Sequence, residues 1–557
     1  MSEPRGAAQP DTEGEEVRPA MTGGRAVLLF GALIPAIALL LAEAYLFDGD
    51  WSLPLDDGWI HLVFARSLAG GAGLAYGPGG LVAATTAPLW TAILGLLALL
   101  PGSPVLWAKI AGIAAQGATV LGTWVLARRL GLGGSRAGIA AFLVATTDWL
   151  VWSSLSAMEI PLFTALTLFG MVRHLDERRS SGSAPVSLLL FGLAALARPE
   201  GLLLPFLAVA DRLLTFPARS SDGRLTWRKP ALGPLLTGLC VALLVIVPVG
   251  LVFLRISGSP FPTTLTAKSS GPPIFIPEIR YLRTVVGILF PSQPWMTLLA
   301  LGGAVEMVRR LGTPRDRGLL PVLWLLALPL GLAALSSGLE IQVGNFGRYL
   351  FPLFPLVVVL GSLALVRIPF RAVRATGGPF VAAAALVVLI LPTLISLTGG
   401  FGRYLTSCAN VRDSDVALAR WLAPRLDPRA VLAVTDIGAL QYFLPNRLID
   451  MGGLVTPELN RLRLAGNREG RNYREVLSSY LEEKRPDFLI AFPEWFPEPV
   501  RQPERFPLQR AFEIRDNITM GGDMILVHAT PWTRYPLAEP EAVGQPGAPP
   551  TAPRGTP

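Results

Sequence analysis

The sequence LDDGWIHLVFARSLAGG, residues 55–71, joins two strongly apolar regions and opens with two adjacent aspartates. The carboxylates of Asp56 and Asp57 repel each other, so one of them should be harder to ionise than an isolated aspartate. Such a pair is suited to accepting a proton from a substrate. From Ile60 onward apolar side chains recur at helical spacing with polar ones opposite, which predicts a short amphipathic helix at the membrane interface. The alternative role of the pair is to cap this helix, since Asp is a preferred N-cap residue.

The composition of the chain is typical of a membrane protein. Of its 557 residues, 51% are hydrophobic and 16% charged, and the mean hydropathy of +0.49 is too high for a soluble protein of this size. The net charge of +8 does not indicate nucleic acid binding, because the basic residues fall in short loops between apolar segments, where the positive-inside rule accounts for them. Cys240 and Cys408 lie far apart in this arrangement and predict no disulfide.

The basic loops predict a multi-pass protein of a bacterial inner membrane with a cytoplasmic N-terminus. About eleven crossings place every basic loop inside if the apolar piece at residues 87–100, too short to span, is interfacial or re-entrant. A further apolar segment, residues 184–210, is predicted to be a hairpin with the turn Arg198-Pro199-Glu200-Gly201, which holds charged groups at membrane depth. Everything after residue 400 then lies outside.

Four regions follow from these patterns. Residues 1–25 are predicted to be a disordered cytoplasmic tail, residues 26–400 a transmembrane domain with its first outer loop at 48–86, and residues 532–557 a disordered, proline-rich tail. Residues 401–531 have the composition of an ordinary soluble domain, in which helical patterns alternate with short apolar runs. This pattern predicts a small periplasmic α/β domain. Its predicted strands are residues 431–434, 447–450, 488–491 and 524–527.

Charged residues from separate segments are predicted to converge at the outer half of the membrane domain. They are Asp56, Asp57, His61, Glu159, Arg198, Glu200, Lys268, Glu340 and Arg348. A cavity that combines carboxylates with Arg and Lys suits a reaction in which an acid accepts a proton while cations hold an anionic leaving group. A sugar carried on a polyprenyl phosphate fits these demands. An Asp would deprotonate the acceptor hydroxyl as it attacks the anomeric carbon, and the phosphate would leave.

Several of these residues also have a structural explanation. Lys268 and Arg348 could be interfacial anchors, and Glu159 could cap the helix that follows it. The arginine and glutamate of the hairpin turn could form a structural ion pair, and His61 could be a surface residue of the amphipathic helix. No cluster of His or Cys has metal-ligand spacing, so no cofactor or tightly bound metal is predicted. A loosely bound divalent cation at the carboxylates is a further alternative.

A set of short stretches resembles one protein family in order and spacing. The stretches are Asp56-Asp57, Ala65 to Gly70, Gly73-Leu74, Pro88 to Trp90, Met158-Glu159, Arg198 to Leu202, Thr264 to Lys268, Arg348-Tyr349, Asp436 to Ala439 and Ile449-Asp450. The chain resembles the GT-C fold bacterial membrane glycosyltransferases that use polyprenyl-phosphate sugars, especially mycobacterial arabinofuranosyltransferases. The resemblance implies a GT-C-like transmembrane domain, and it implies a catalytic role for the acidic pair in the first outer loop, Asp56 and Asp57.

The sequence therefore predicts a membrane glycosyltransferase. It would move arabinofuranose, or another pentose or hexose, from a polyprenyl-phosphate donor to a hydroxyl of a cell-envelope glycan, lipid or protein on the periplasmic side. Asp56 is the predicted general base, and Asp57 orients either this base or the acceptor. The residues predicted to bind substrate are His61, Arg66, Glu159, Arg198, Glu200, Lys268 and Arg348. The predicted phosphate contacts are Arg198, Lys268 and Arg348. The alternatives are a lipid-linked glycan polymerase or ligase, and a transporter or flippase, which would need paired broken helices in two related halves.

Overall fold

The computed structural model describes most of the membrane domain and of the outer domain. The described residues are 31, 33–178, 185–214, 218–219, 225–226, 232–268, 279–313, 316–335, 345–365 and 370–538. The predicted N-terminal tail, Glu340, and residues 539–557 of the predicted C-terminal tail lie outside these ranges.

Helices make up the membrane part of the chain. In order they are α1 (Ile34–Leu46), α2 (Asp56–Ala69), α3 (Pro88–Leu97), α4 (Pro104–Arg129), α5 (Gly134–Ala145), α6 (Asp148–Ser154), α7 (Ile160–Glu177), α8 (Val186–Ala197), α9 (Leu203–Leu213), α10 (Leu232–Ser257), α11 (Thr263–Lys268), α12 (Ile279–Ser292), α13 (Pro294–Arg309), α14 (Leu320–Leu335), α15 (Phe354–Leu365) and α16 (Phe370–Val411). Between them lie 3-10 turns at Gly77–Gly79, Pro199–Leu202 and Asn345–Leu353 and an antiparallel pair of short strands, β1 (Ala218–Arg219) and β2 (Leu225–Thr226).

Several of these helices are long and apolar enough to cross a membrane. Among the described residues four segments meet this requirement: Pro104–Arg129, Gly233–Ser257, Phe346–Leu365 and Ala383–Leu422. Two bent pairs, α5 with α6 at 62° and α12 with α13 at 117°, raise the number to 6 if each pair is one span. The chain is a polytopic helical membrane protein, and the larger number of crossings that the basic loops indicate remains a prediction.

The two irregular apolar segments of the sequence form short helices. The piece at residues 87–100 contains only the ten-residue helix α3, which is about 15 Å long, half the thickness of the hydrocarbon core. The segment at residues 184–210 is interrupted at Arg198, which has extended backbone (φ −153°, ψ 137°) because a helical conformation is disfavoured before proline. A Cβ at Gly201 would lie 2.7 Å from the backbone of Ala194, so glycine allows the turn to pack against α8.

The C-terminal domain, which we call the outer domain after its predicted location, is a mixed sheet with helices packed against it. Its elements are α17 (Ala417–Leu422), β3 (Val431–Val434), α18 (Gly438–Phe443), β4 (Arg447–Asp450), α19 (Pro457–Arg468), α20 (Tyr473–Lys484), β5 (Phe488–Ala491), α21 (Glu498–Arg501), β6 (Leu508–Glu513) and β7 (Met524–Ala529). The strand order is β4-β3-β5-β7-β6, in which β3 is parallel to β4 and β5 and the other pairs are antiparallel. Both faces of β3 and β5 are buried in apolar clusters, as expected for central parallel strands.

The limits of the outer domain differ from the predicted ones. Helix α16 has 42 residues, about 63 Å, so it runs through the predicted boundary at residue 400 and ends at a π-helical turn, Arg412–Val416. At the other end the Arg534 N–H donates to Asp487 Oδ1 (2.7 Å) and the Ala538 N–H donates to Arg425 O (2.9 Å). These bonds attach the first residues of the predicted C-terminal tail to the domain, which therefore extends at least to residue 538.

The first outer loop lies between the membrane helices and the outer domain. Its residues Phe64 and Tyr76 belong to the same buried apolar cluster as Ile437 and Leu440 of the outer domain. The Tyr76 hydroxyl also donates to Ile437 O (3.0 Å). The loop that carries the aspartate pair is thus enclosed by both parts of the chain.

Candidate active site

The two adjacent aspartates begin helix α2 but do not cap it. The N-cap residue is Leu55, and no side chain caps this helix. Asp56 and Asp57 lie in the first turn, where negative charge is favourable near the positive end of the helix. The capping role considered from the sequence is therefore wrong for α2, and the two carboxylates have separate partners elsewhere.

The carboxylate of Asp56 binds the outer domain. Its Oδ2 accepts hydrogen bonds from the N–H groups of Ile437 (3.0 Å) and Gly438 (2.6 Å), and its Oδ1 accepts one from Ala439 (2.7 Å). These N–H groups stand at the N-terminus of α18, where they have no partner within the helix. A Cβ at residue 438 would lie 2.2 Å from the Asp56 carbonyl oxygen, so this close approach requires glycine.

Arg66 binds the opposite end of α18. Its Nη1 donates to Tyr442 O (2.6 Å) and its Nη2 donates to Gln441 O (3.1 Å), near the helix C-terminus. The guanidinium also lies over the Tyr442 ring, 4.9 Å from the centroid. These contacts attach Arg66 to the outer domain, and its contact with substrate remains a prediction. We call Asp56 and Arg66, which hold the two ends of α18, the docking clamp.

Asp57 forms an ion pair with Arg348. Asp57 Oδ1 and Arg348 Nη2 are 2.7 Å apart, and 28% and 2% of the two side chains are exposed. The Nε and Nη1 atoms of Arg348 are buried, yet they have no hydrogen-bond partner among the described residues. The interfacial-anchor alternative for Arg348 is wrong, because an anchor keeps its charged end in water. A buried guanidinium with unsatisfied donors is suited to binding an anion.

The backbone before Arg348 has a left-handed conformation. Phe346 has φ 66° and ψ 12°, and Gly347 has φ 66° and ψ 29°. This conformation is unfavourable for a non-glycine residue and persists only where the surroundings determine it. The Phe346 ring contacts Trp149 and Trp152 at centroid distances of 5.4 and 5.7 Å. Aromatic packing thus stabilises the bend that directs Arg348 toward Asp57.

Four of the predicted residues form one buried chain of ionic contacts. His61 Nε2 lies 3.1 Å from Glu159 Oε2, and Glu159 Oε1 accepts a hydrogen bond from Arg198 Nη1 (2.8 Å). Arg198 Nε in turn donates to Glu200 Oε1 (2.6 Å). All four side chains are nearly inaccessible, so His61 is not the surface residue considered from the sequence. Glu159 makes no side-chain cap to α7. The ion pair considered for Arg198 and Glu200 is present, with Glu159 as a third member.

The ring of Tyr349 lies between the two buried arginines. Its centroid is 4.9 Å from Arg198 Cζ and 5.6 Å from Arg348 Cζ, distances at which both cations interact with the ring face. A continuous set of contacts therefore leads from Asp57 through Arg348 and Tyr349 to Arg198.

We expect the Arg198→Ala substitution to lower the free energy of unfolding by about 3–5 kcal/mol, because it leaves two buried carboxylates without their partner. The matched control is Arg420→Ala, which removes an exposed ion pair with Asp50 and should have an effect of about 1 kcal/mol or less. Melting temperatures of the two purified variants in detergent give the comparison. An Arg198→Ala protein as stable as the control would contradict the importance of this network for folding.

The segment that ends at Lys268 lies against the first outer loop. In α11 the Thr263 N–H donates to Ala83 O (2.8 Å), and the Thr264 hydroxyl donates to Ala84 O (3.1 Å). The side chain of Lys268 is outside the described part of the structure, so its phosphate contact remains a prediction.

Three further aspartates, to which the sequence analysis assigned no role, lie near the pair. Asp415 is fully buried in the π-helical turn, Asp436 follows β3, and Asp450 ends β4. Burial raises the pKa of Asp56 to about 6, and burial together with the charges of Asp56 and Asp57 raises the pKa of Asp436 well above its usual range. The sequence does contain a signal for two of them, because Asp436 and Asp450 lie at the carboxyl ends of predicted strands, where α/β sheets bind ligands.

The carboxylates of this region were compared with the groupings that hold metal ions. Within the described ranges, no three His, Cys, Asp or Glu side chains are grouped so that they could hold a metal ion. The loosely bound divalent cation considered from the sequence therefore has no support in the geometry.

Comparison with known proteins gives one family match and several similar structures. A family model described as "Domain of unknown function (DUF8728)" matches residues 408–535. A search of curated proteins gives no significant match. The structure is similar to ArnT from Cupriavidus metallidurans in the apo state, with a TM-score of 0.59 and 13% sequence identity over 91% of this chain and 98% of that chain.

Two further structures extend this likeness. ArnT from Cupriavidus metallidurans bound to undecaprenyl phosphate has a TM-score of 0.57 and 14% identity, over 92% of this chain and 98% of that chain. The Archaeoglobus fulgidus oligosaccharyltransferase in the apo form has a TM-score of 0.57 and 13% identity, over 84% of this chain and 69% of that chain. Identities this low show the fold alone, and the resemblance to arabinofuranosyltransferases remains a prediction. The chain therefore has the GT-C membrane fold that its sequence predicted.

Proposed function

We propose that the chain is a membrane glycosyltransferase that moves a sugar from a polyprenyl-phosphate donor to a hydroxyl of a cell-envelope glycan, lipid or protein. The observation that carries the proposal is the buried Arg348 guanidinium, which is bound by Asp57 on one side and has two unsatisfied N–H donors. It combines an anion site with the carboxylate pair in one place. Solved structures of this fold support a lipid-phosphate donor, since ArnT binds undecaprenyl phosphate and an archaeal oligosaccharyltransferase binds a dolichol-phosphate.

In the proposed mechanism Arg348 binds the phosphate of the donor through Nε and Nη1. Asp57 keeps the guanidinium in place through its ion pair with Arg348. Because this carboxylate is already bound to a cation, Asp57 is a less suitable base than Asp56. Asp56 accepts the proton of the acceptor hydroxyl as the hydroxyl oxygen forms its bond to the anomeric carbon. The bond between that carbon and the phosphate oxygen breaks, and its electron pair leaves with the phosphate, whose charge Arg348 stabilises.

The environment of Asp56 suits a general base. A carboxylate has about four lone-pair sites, and three of them accept backbone N–H groups, so the side chain is fixed with one site remaining. Burial raises the pKa of Asp56 to about 6, so it is ionised at pH 7 and still basic enough to take a proton. In this proposal four buried residues bind one another and hold the ring of Tyr349 in place next to Arg348. They are His61, Glu159, Arg198 and Glu200.

The finer features predicted from the sequence are part of the proposal. The donor sugar is a pentose or hexose such as arabinofuranose, and Lys268 is a further phosphate contact. The chain crosses a bacterial inner membrane about eleven times, with its N-terminus in the cytoplasm and residues 412–538 in the periplasm.

This topology predicts the location of reporter fusions. A reporter fused after Gly131, which follows the basic end of α4, is expected to be cytoplasmic, and one fused after Ala538 is expected to be periplasmic. Alkaline phosphatase and green fluorescent protein fusions measure the two locations independently. If both sites report the same side, the predicted number of crossings between them is wrong by an odd number.

The two bent helix pairs favour a transporter or flippase as the second candidate, since transporters use broken helices. Here the two breaks bind each other. Gln293 Nε2 donates to Thr147 Oγ1 (2.9 Å), and the Ser292 hydroxyl donates to Asp148 Oδ1 (2.5 Å). Because polar groups at these two helix breaks form hydrogen bonds with each other, fewer of them are available to bind a transported substrate. This favours the transferase. A polymerase or ligase would not need the aspartate pair, and it would move a larger group than a single sugar.

The proposed function is tested by identifying the donor and following its consumption. A strain that lacks the protein is expected to accumulate one polyprenyl-phosphate sugar, which lipid mass spectrometry identifies. The purified protein should then release polyprenyl phosphate from this lipid and form a glycosylated product. A transporter would move the lipid between the leaflets of vesicles without cleaving it, and a ligase would transfer an oligosaccharide. Either result would replace the proposal.

A further inference from the structure

The carboxyl group of Asp436 stands where an aspartate ordinarily caps a helix, yet it caps none. Asp436 lies between β3 and α18, directly before the N-cap residue Ile437, and no side chain of this segment caps α18. Asp56, from the membrane domain, accepts those N–H groups instead. No hydrogen bond or ion pair links the side chain of Asp436 to another described residue. A capping role therefore does not explain this residue.

The surroundings of Asp436 are those of a ligand site. It follows β3 at the carboxyl edge of the parallel strands, the edge at which open α/β sheets bind ligands. At the same edge the Asp450 carboxylate accepts the N–H groups of Gly452 (2.7 Å) and Val455 (2.8 Å), so it stabilises its own turn. Asp436 is half-buried, and it lies near enough to Asp56 and Asp57 for their charges to raise its pKa. It thus borders the proposed site from the side of the outer domain.

A second observation at this place is the side chain of Asp415. It is completely buried, and neither of its carboxyl oxygens has a hydrogen-bond partner among the described residues. Asp415 interacts electrostatically with Asp436 and Asp56, so these groups are neighbours. Buried polar groups are nearly always hydrogen-bonded in folded proteins. An unsatisfied buried carboxyl beside Asp436 points to a polar ligand that carries its own donors.

We propose that Asp436 is an acceptor-binding residue supplied by the outer domain, and that the acceptor is a glycan with neighbouring hydroxyl groups. One hydroxyl lies at Asp56 and is glycosylated, and a second hydroxyl of the same sugar donates a hydrogen bond to Asp436. Asp436 directly precedes residues 437–439, whose N–H groups bind the Asp56 carboxylate. The two carboxyl groups therefore lie close enough to bind one molecule. An acceptor with a single hydroxyl, such as a serine side chain or a simple alcohol, could use only one of them.

This assignment explains why the outer domain is clamped to the first outer loop. The docking clamp fixes α18, and with it Asp436, relative to the base Asp56. Burial and the neighbouring charges raise the pKa of Asp436 well above its usual range, which keeps a neutral carboxyl group available to bind an uncharged polyol. The inference rests on the proposed function, since it names the acceptor of the same reaction.

The test measures acceptor kinetics of Asp436→Asn and Asp436→Ala in the full-length protein. The probes are octyl glycosides of arabinofuranose, mannose and glucose, with 1-octanol as the acceptor that has a single hydroxyl. We expect the parent protein to use an octyl glycoside in preference to 1-octanol. Loss of the hydrogen bond should raise the acceptor KM about 10-fold in Asp436→Ala, with a smaller change in kcat. Asp436→Asn should raise the KM less, because its amide oxygen still accepts a hydrogen bond from the sugar hydroxyl. The control is Asp523→Asn, an exposed aspartate of the same domain, which should keep the parental KM.

Three results would overturn the inference. The first is an unchanged acceptor KM in Asp436→Ala. The second is a change confined to kcat, which would indicate a catalytic role, or a lower melting temperature in both variants that accounts for the loss, which would indicate a structural role. The third is a parent protein that consumes the donor but transfers to 1-octanol as well as to the glycosides, or to none of them. A parent protein that consumes no polyprenyl-phosphate sugar would instead contradict the proposed function itself.

Discussion

Sugar transfer is expected to fall by at least about 100-fold when Asp56 is replaced by Asn, because the substitution removes the group that accepts the proton from the acceptor hydroxyl. The variant also weakens domain docking, since the amide NH2 would face an N–H donor at the N-terminus of α18. An unsatisfied buried donor costs about 1–3 kcal/mol. Transfer is measured as release of polyprenyl phosphate by the purified variant, together with its melting temperature.

The matched control for this loss of docking is Arg66→Gln. Arg66 binds the other end of α18 through two backbone carbonyls, so its replacement weakens the same contact without changing the proposed base. We expect Arg66→Gln to lose a comparable amount of stability and to keep most of its transfer activity. If the two variants lose activity equally, Asp56 acts only through docking, and the catalytic assignment is wrong.

The pH dependence of the parent protein gives an independent check on the base. Since Asp56 must be ionised to accept a proton, kcat/KM should rise as the pH increases through about 6 and level off above pH 7. Burial is the main cause of the raised pKa of Asp56, and the charge of Asp57 raises it further. Asp57→Asn should therefore move the midpoint of the residual activity to lower pH. A midpoint that is unchanged in this variant would indicate that a different group titrates.

The strands that could be predicted from the sequence are those that bury apolar side chains. Strands β3, β4, β5 and β7 appear as short apolar runs because the sheet core requires such residues at successive or alternate positions. Strand β6 was missed, because nearly all of its side chains are exposed and it exists through backbone pairing with β7. Edge strands of this kind leave no hydrophobic pattern in the sequence.

The sequence predicted that the charged residues of the site converge, but it could not identify the partner of each residue. Asp57 and Arg348 are 291 positions apart, and Asp56 and Gly438 are 382 positions apart, so no local pattern connects them. The structure brings Asp57 to Arg348 and His61 to Glu159, as a shared outer cavity requires. Other assignments needed tertiary information. The contacts of Asp56 and Arg66 with the outer domain depend on how α18 docks, which the sequence of α2 cannot indicate.

The largest effect on donor use is expected from Arg348→Gln, which should lower kcat/KM for the donor by about 100- to 1000-fold. The reason is that a preorganised buried cation at the leaving phosphate acts mainly on the transition state, and removal of one such group has effects of this size. Arg348→Lys should retain part of the activity, because an ammonium group supplies charge without the two-pronged geometry of a guanidinium. The control is Arg420→Gln, which replaces an exposed arginine that pairs with Asp50.

A paired substitution separates phosphate binding from a purely structural role of Arg348. In Arg348→Gln the carboxylate of Asp57 loses its ionic partner, so the melting temperature should fall. Adding Asp57→Asn removes the uncompensated charge and should restore much of that stability. Transfer should not recover, because the donor phosphate still lacks its cation. If the double variant regains both stability and transfer, Arg348 serves only to neutralise Asp57, and the anion site that supports the glycosyltransferase proposal must lie elsewhere.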